Sequence, residues 1–225
     1  MIHIIHNIPR PDGALVERFS RHGSATVHEA MGRLGAMSWK IKPLARGMKV
    51  CGPAFTVQVQ AGDNVMILRA IRDARPGDVL VVDCGRCPES GPFGELAATE
   101  CQVKGLGGFV TTGSVRDSAE IISMGFPVFS GGVSIVGTVK ESLGRINHPV
   151  SAGGVIVNPG DIILGDDDGV VVVPLAQAGE ILEKSDARVA KEAGILEKLR
   201  AGGSIFDIYG YQAVLDRQGC VEERT

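Results

Sequence analysis

Between Val50 and Gln60 the apolar residues Phe55, Val57 and Val59 alternate with Thr56 and Gln58, the two-residue period of a half-buried strand. Upstream, from Asp12 to Leu34, Leu15, Val16 and Phe19 fall at helical spacing, and Ser24 or Thr26 can cap a second helix. Asn64 to Ala74 reads as helix again. Pro76-Gly77-Asp78 then turns the chain into Val79-Leu80-Val81-Val82-Asp83, a fully apolar strand closed by an acid. Pro159-Gly160-Asp161 followed by Ile162 to Asp166 nearly repeats it 83 positions later. Two copies are too few for a solenoid and point to a pair of similarly built turn and strand units in one β-rich core.

Between the copies, Glu95 to Lys104 predicts a helix, Gly108 to Thr112 a short apolar strand and Arg116 to Met124 a helix with Ile121 and Ile122 on one face. Phe126 to Phe129 and Ile135 to Val139 read as further strands, and Val170 to Val173 as a strand closed by Pro174. From Leu175 to Leu199, Leu182, Val189 and Leu196 recur every seventh residue, the mark of a long amphipathic helix ended by Gly202-Gly203. The tail from Ser204 carries Ile205, Phe206, Ile208, Tyr209 and Tyr211, too apolar for a solvated end, and is expected to dock, for instance on a neighbouring subunit. The expected organisation is one domain over 1–225: a helical arm (1–45), a β-rich core (46–174), and a C-terminal helix with its tail (175–225). The fold class is mixed α/β.

Composition narrows the functional classes. With 225 residues, 44% of them hydrophobic, the chain can bury one substantial core. A net charge of -3 without a Lys/Arg cluster argues against nucleic acid as a ligand. No apolar run approaches a membrane span and no secretory leader is evident, so a cytoplasmic location is expected. Five cysteines, an odd set, fit reduced thiols. Low aromatic content, 4%, and 31 glycines suggest aliphatic strands joined by tight turns.

Chemistry concentrates in Gly91 to Glu120, where a Gly-rich turn, a helix start, a strand and a second helix start follow one another. Both helix starts can face one cleft. The N–H groups of Leu96 and Ala97 are free to bind a carboxylate, as at any helix N-terminus. Arg116 can pair bidentately with the same anion, and Asp117 offers hard oxygens suited to Mg²⁺ or Mn²⁺. The bland alternative is an Arg-Asp pair that simply opens a helix.

This stretch resembles the class II pyruvate aldolases that cleave 4-hydroxy-4-methyl-2-oxoglutarate and 4-carboxy-4-hydroxy-2-oxoadipate, relatives of the regulator of ribonuclease activity A. Their pattern is an acid, twenty residues, Arg-Asp, two residues, then Glu or Asp; here Glu95, Arg116-Asp117 and Glu120 fill it. GSATVHEAMGR (Gly23 to Arg33), GDN (Gly62 to Asn64) and NPGDIILGDDDGVVVVP (Asn158 to Pro174) extend the likeness over most of the chain.

The resemblance implies a β/β/α sandwich of the swivelling phosphohistidine-domain type, assembled as a homotrimer or homohexamer. It implies that Asp117 ligates Mg²⁺ or Mn²⁺ mostly through waters, that Arg116 holds the pyruvyl group, and that the turn Gly94, Glu95, Leu96, Ala97 binds its carboxylate. A water on the metal would take the 4-hydroxyl proton, with Glu95 or Glu192 as relay, Glu192 reaching the site from a neighbouring subunit's long helix. The substrate would be a small 2-oxo acid, and oxaloacetate decarboxylation a side activity. Where the family carries Asp followed by two leucines, this chain has Glu95-Leu96-Ala97, which bears on substrate preference.

Other signals are weaker. Cys84-Gly85-Arg86-Cys87 is a lone CxxC. His28-Glu29 lacks the second His of a zinc protease, Gly32 standing there. Asp166-Asp167-Asp168-Gly169 lacks the spacing of a calcium loop and reads as a turn. Lys104 or Lys140 could serve a metal-free Schiff-base aldolase. From another functional class, a non-catalytic binding protein like the ribonuclease regulators remains as the alternative.

Overall fold

The structure, a computed structural model, describes residues 3–85 and 89–223; the Cys87 half of the CxxC lies outside them. The chain opens with β1 (His3–Ile4), α1 (Gly13–Phe19), α2 (Ser24–Ala30) and β2 (Lys42–Pro43). It continues through β3 (Val50–Gln58), α3 (Val65–Asp73), β4 (Val79–Asp83), α4 (Glu95–Val103), β5 (Gly108–Thr111), β6 (Ser114–Val115), α5 (Ser118–Met124), β7 (Val128–Ser130) and β8 (Gly132–Val133). Then come β9 (Arg145–Ile146), the hairpins β10 (Val150–Ala152) with β11 (Val155–Val157) and β12 (Ile162–Asp166) with β13 (Gly169–Val173), and the helices α6 (Ala178–Arg200), α7 (Ile205–Ile208) and α8 (Gln212–Gln218).

β3 organises the sheet because its two halves pair differently. Val50 to Pro53 run antiparallel to β12, while Ala54 to Gln58 run parallel to β4. From there β4, β5 and β7 continue in parallel, the arrangement expected when α3, α4 and α5 make the crossovers. The alternation read from the sequence sorts the side chains into layers. Phe55, Val57, Leu80, Val82 and Phe109 face α3 to α5. Val50, Ala54, Val79, Val81 and Val110 face the β10–β11 hairpin and one face of β12–β13. The other face of that second hairpin packs Ile162, Leu164, Val171 and Val173 against Phe19, Val27, Ile181 and Leu182 of α1, α2 and α6. Apolar strands without alternation are thus those covered on both faces.

The two Pro-Gly-Asp turns are structural equivalents. In each, the Asp N–H donates to the carbonyl three residues back, Asp78 to Arg75 and Asp161 to Asn158, and the glycine takes φ +84° or +88°, a type II turn. Each Asp carboxylate is buried and accepts the N–H of the turn's first residue, 2.9 Å at Arg75 and 2.8 Å at Asn158. The turns place β4 and β12 beside successive halves of β3.

One expected strand is not one. Among the described residues Ile135 to Val139 makes only two isolated bridges, Val136 to Ser90 and Val139 to Asp63. No strand among the described residues pairs with it, and Ile135 is 92% exposed. The long helix forms as predicted after a 3₁₀ turn at Leu175–Gln177, but only its first two turns bury side chains. In the tail, Tyr209 stacks on Tyr211 and receives the Lys191 ammonium of α6. No helix among the described residues is long and apolar enough to cross a membrane.

Candidate functional site

The parallel strands β4 and β5 end on the same edge of the sheet, the usual position of a ligand site in such sheets. Their outgoing loops enter α4 and α5, and a cleft of about 470 Å³ opens between them, lined by Glu95, Leu96, Arg116, Asp117 and Glu120. A groove of about 550 Å³ between α2, β11 and α6 is larger. Its charged lining residues are all paired, Lys184 with Glu180 at 2.6 Å and Glu29 with Arg33, outside the groove, at 3.2 Å, and we place the chemistry in the smaller cleft.

Asp117 has φ 53° and ψ 43°, left-handed backbone that Asp tolerates better than most residues. It does not cap its own helix. Its Oδ2 instead accepts the Glu95 N–H at 3.0 Å, joining the start of α5 to the start of α4. The Arg-Asp pair therefore precedes α5, which starts at Ser118 and not at Arg116 as the sequence pattern predicts. Arg116 N–H donates to Phe93 C=O at 2.9 Å, and its Nε lies 3.6 Å from Asp117 Oδ2. Both side chains remain roughly 40% exposed, Arg116 at 44% and Asp117 at 40%, so neither is locked away from a ligand.

Gly94 is the hinge of this geometry. A Cβ there would run into Asp117 Oδ2 and stand 3.0 Å from Arg116 Cγ. Gly91 is similarly tight, 3.1 Å from Arg116 Cβ. With Glu95 N–H taken by Asp117, Leu96 and Ala97 offer the next N–H groups of the α4 first turn, which has no earlier turn to pair with.

The cleft also gathers Asn64 and Lys140 from distant segments. Asn64 donates Nδ2 to Pro92 C=O at 3.0 Å, steadying the turn ahead of Gly94, while its Oδ1 is buried without a partner. Its presence in the GDN likeness was the available signal. Lys140 also lines the cleft, and its Nζ donates to Thr138 C=O at 3.5 Å. It is exposed, without the desolvated setting of a Schiff-base lysine. Lys104 is spent on Arg72 C=O at 2.7 Å and does not line the cleft. Neighbouring Asp63 is 2% exposed and accepts from Val65, Glu141 and Ser142 N–H groups at 2.8, 2.7 and 2.6 Å. Burial pushes its carboxyl up, and these N–H groups outweigh burial and hold it below the ordinary value.

Within this chain Glu192 is not in the cleft. It pairs with Arg188 at 2.7 Å on the exposed part of α6. His28 Nδ1 donates to Leu34 C=O at 2.9 Å, an ordinary helix-face contact. Asp166 caps α2 through Ser24 N–H and Oγ, 2.7 and 2.6 Å, so the Asp-rich turn is structural.

As for metal, no group of three or more His, Cys, Asp or Glu among the described residues is arranged to hold an ion. Asp117 lines the cleft and is 40% exposed, with Oδ2 bound to Glu95 N–H. One carboxylate with water filling the remaining positions is how Mg²⁺ binds, and the donor set fits that ion better than Zn²⁺.

A family profile described as RraA-like, aldolase/RraA, matches residues 24–172. A provisionally named 4-hydroxy-4-methyl-2-oxoglutarate aldolase of Halalkalibacterium halodurans is 37% identical over 178 residues, 79% of this chain and 84% of that protein. RraAS2 of Streptomyces coelicolor, an unusual member of the RNase ES inhibitor RraA protein family, is 33% identical and superimposes with TM-score 0.74 over 84% of this chain and 98% of its own. The RNA-processing inhibitor RraA of Thermus thermophilis shares the fold, with TM-score 0.63 at 24% identity over 68% of this chain and 93% of its own.

Proposed function

Because the chain belongs to the RraA-like aldolase/RraA family, we propose that it cleaves a 4-hydroxy-2-oxo dicarboxylic or tricarboxylic acid to pyruvate and a second 2-oxo acid, with Mg²⁺ or Mn²⁺ as cofactor. The observation that carries this reading is the convergence of Arg116, Asp117 and the α4 N-terminus on one cleft.

Leu96 and Ala97 N–H groups bind the substrate's 1-carboxylate at the positive end of α4. Arg116 holds the pyruvyl group and places its charge where enolate character develops as the C3–C4 bond breaks. Asp117 would hold the divalent cation, which when bound would supply Lewis acidity. Lys140, which also lines the cleft, suits the substrate's second carboxylate. Glu95 stands at the cleft as a proton relay, and Glu192 of a neighbouring copy is the second candidate. Loss of CO₂ from oxaloacetate yields the same pyruvate enolate, so that activity is expected too.

We read the layers as the swivelling β/β/α sandwich and the working assembly as a homotrimer or homohexamer. Leu96, Ile135, Val136 and Val139 are more than half exposed around the cleft, an apolar surface that fits a second copy of the chain.

A second reading, a binding protein without catalysis that inhibits a ribonuclease, is supported by the likeness to RraAS2. The test is pyruvate release from 4-hydroxy-4-methyl-2-oxoglutarate, 4-carboxy-4-hydroxy-2-oxoadipate and oxaloacetate, with Mg²⁺, Mn²⁺ or chelator. Metal-dependent pyruvate supports the aldolase, and no turnover of any of the three with either metal moves the assignment to the binding protein.

A further inference from the structure

Away from the cleft, the N-terminal edge of the sheet brings two imidazoles together. β1 pairs in parallel with β9, His3 opposite Arg145 and Ile4 opposite Ile146. Ile5 N–H extends the pairing to Ile146 C=O at 3.1 Å, and Asn147 Nδ2 donates to Ile5 C=O at 2.7 Å. Asn147, 2% exposed and at φ 58°, then turns the chain so that His148 leaves the strand edge. His148 is anchored in turn by its C=O, which accepts Thr56 Oγ1 at 2.6 Å. With both backbones fixed, His148 Nε2 lies 3.0 Å from His3 Nδ1, the ring centroids 4.9 Å apart and tilted by 56°. Neither ring lines the cleft.

We propose that His3 and His148 form a two-imidazole site for a divalent transition-metal ion of the Zn²⁺ class, which clasps β1 to the sheet. Two nitrogens bound to tetrahedral Zn²⁺ at about 2.0–2.1 Å stand roughly 3.3–3.4 Å apart, so the rings need separate by a few tenths of an ångström and turn until both lone pairs meet at the ion. One ring nitrogen now donates to the other. Binding uses both lone pairs, and the donor ring shifts its proton to its outer nitrogen, Nδ1 to Nε2 if His3 is the donor. No proton is gained or lost.

Burial, and after it the charges of His3 and Arg145, push His148 below its ordinary value, which keeps its lone pair available. The Arg145 cation opposes metal charge, so imidazole donation must carry the site. His6 is engaged by Asp73 at 3.5 Å. No third ligand completes the group among the described residues, so water takes the other positions. Imidazole suits Zn²⁺ and disfavours Mg²⁺, which separates this site from the oxygen donors at Asp117.

The test is Zn²⁺ titration of the chelator-stripped full chain against a chromogenic competitor, with amide exchange followed at Ile4 and Ile5. Wild type and Asp117→Ala are expected to bind Zn²⁺ alike, while His148→Ala and the exposed His3→Ala bind at least about tenfold more weakly. Zn²⁺ is expected to slow exchange at Ile4 and Ile5 in wild type and in neither His variant. Undiminished binding in the His variants, loss of binding in Asp117→Ala, or no binding by wild type overturns the proposal.

Discussion

Gly94 and Asp63 show the two ways in which single residues hold the cleft. At Gly94 the backbone is extended, φ −146°, so alanine costs no backbone strain. Its Cβ would nevertheless displace Asp117 and Arg116. Gly94→Ala is expected to keep a Tm near wild type while pyruvate release falls about a hundredfold, the scale of a misplaced catalytic group. Asp63 acts through the backbone it gathers, tying the start of α3 to Glu141 and Ser142 beside Lys140. Asp63→Asn leaves N–H groups facing an amide and is expected to cost about 1–3 kcal/mol in denaturant unfolding. Because its folded carboxyl binds protons less readily than the ordinary Asp at 3.8, the unfolded chain takes up more protons in acid. Its stabilisation is therefore full above roughly pH 4–5 and is lost as pH falls below 3.8 toward the folded value. The acid limb of the wild-type pH–stability curve should flatten in Asp63→Asn.

Among the elements, the paired Pro-Gly-Asp turns make a graded prediction. Both glycines are left-handed, but a Cβ on Gly77 meets nothing within 4 Å, whereas on Gly160 it strikes Pro9 C=O. Gly77→Ala should cost about 1–2 kcal/mol, the left-handed penalty alone, and Gly160→Ala clearly more, measured by urea unfolding. These turns and the strands they feed, Val79–Asp83 and Ile162–Asp166, were legible because local chemistry and burial agree there. Ile135 to Val139 misled for the opposite reason. Its β-branched residues favour a strand, but no strand among the described residues pairs with it, and propensity without pairing does not make a sheet. The site was legible in its chemistry and not in its geometry. Arg116, Asp117 and the α4 turn stand close in sequence, while the contact of Asp117 with Glu95 N–H depends on two crossovers packing side by side. Asn64 and Lys140 reach the cleft from separate segments, which no local pattern announces.

At the scale of the whole molecule, the exposed apolar rim of the cleft and the exposed Val189 and Leu196 on α6 predict self-association. Sedimentation should show a trimer or hexamer, and charged substitutions at Ile135 and Val136 should lower both assembly and turnover; a monomer with full activity would contradict the shared-site assembly. The central claim, metal-dependent aldol cleavage at Asp117, is tested most directly by pyruvate release from 4-hydroxy-4-methyl-2-oxoglutarate with saturating Mg²⁺, comparing wild type with folded Asp117→Ala. Turnover in wild type that is removed by chelator and falls about a thousandfold or more in the variant, roughly 4 kcal/mol of lost transition-state stabilisation, is the predicted result. Equal rates in the two proteins would contradict it.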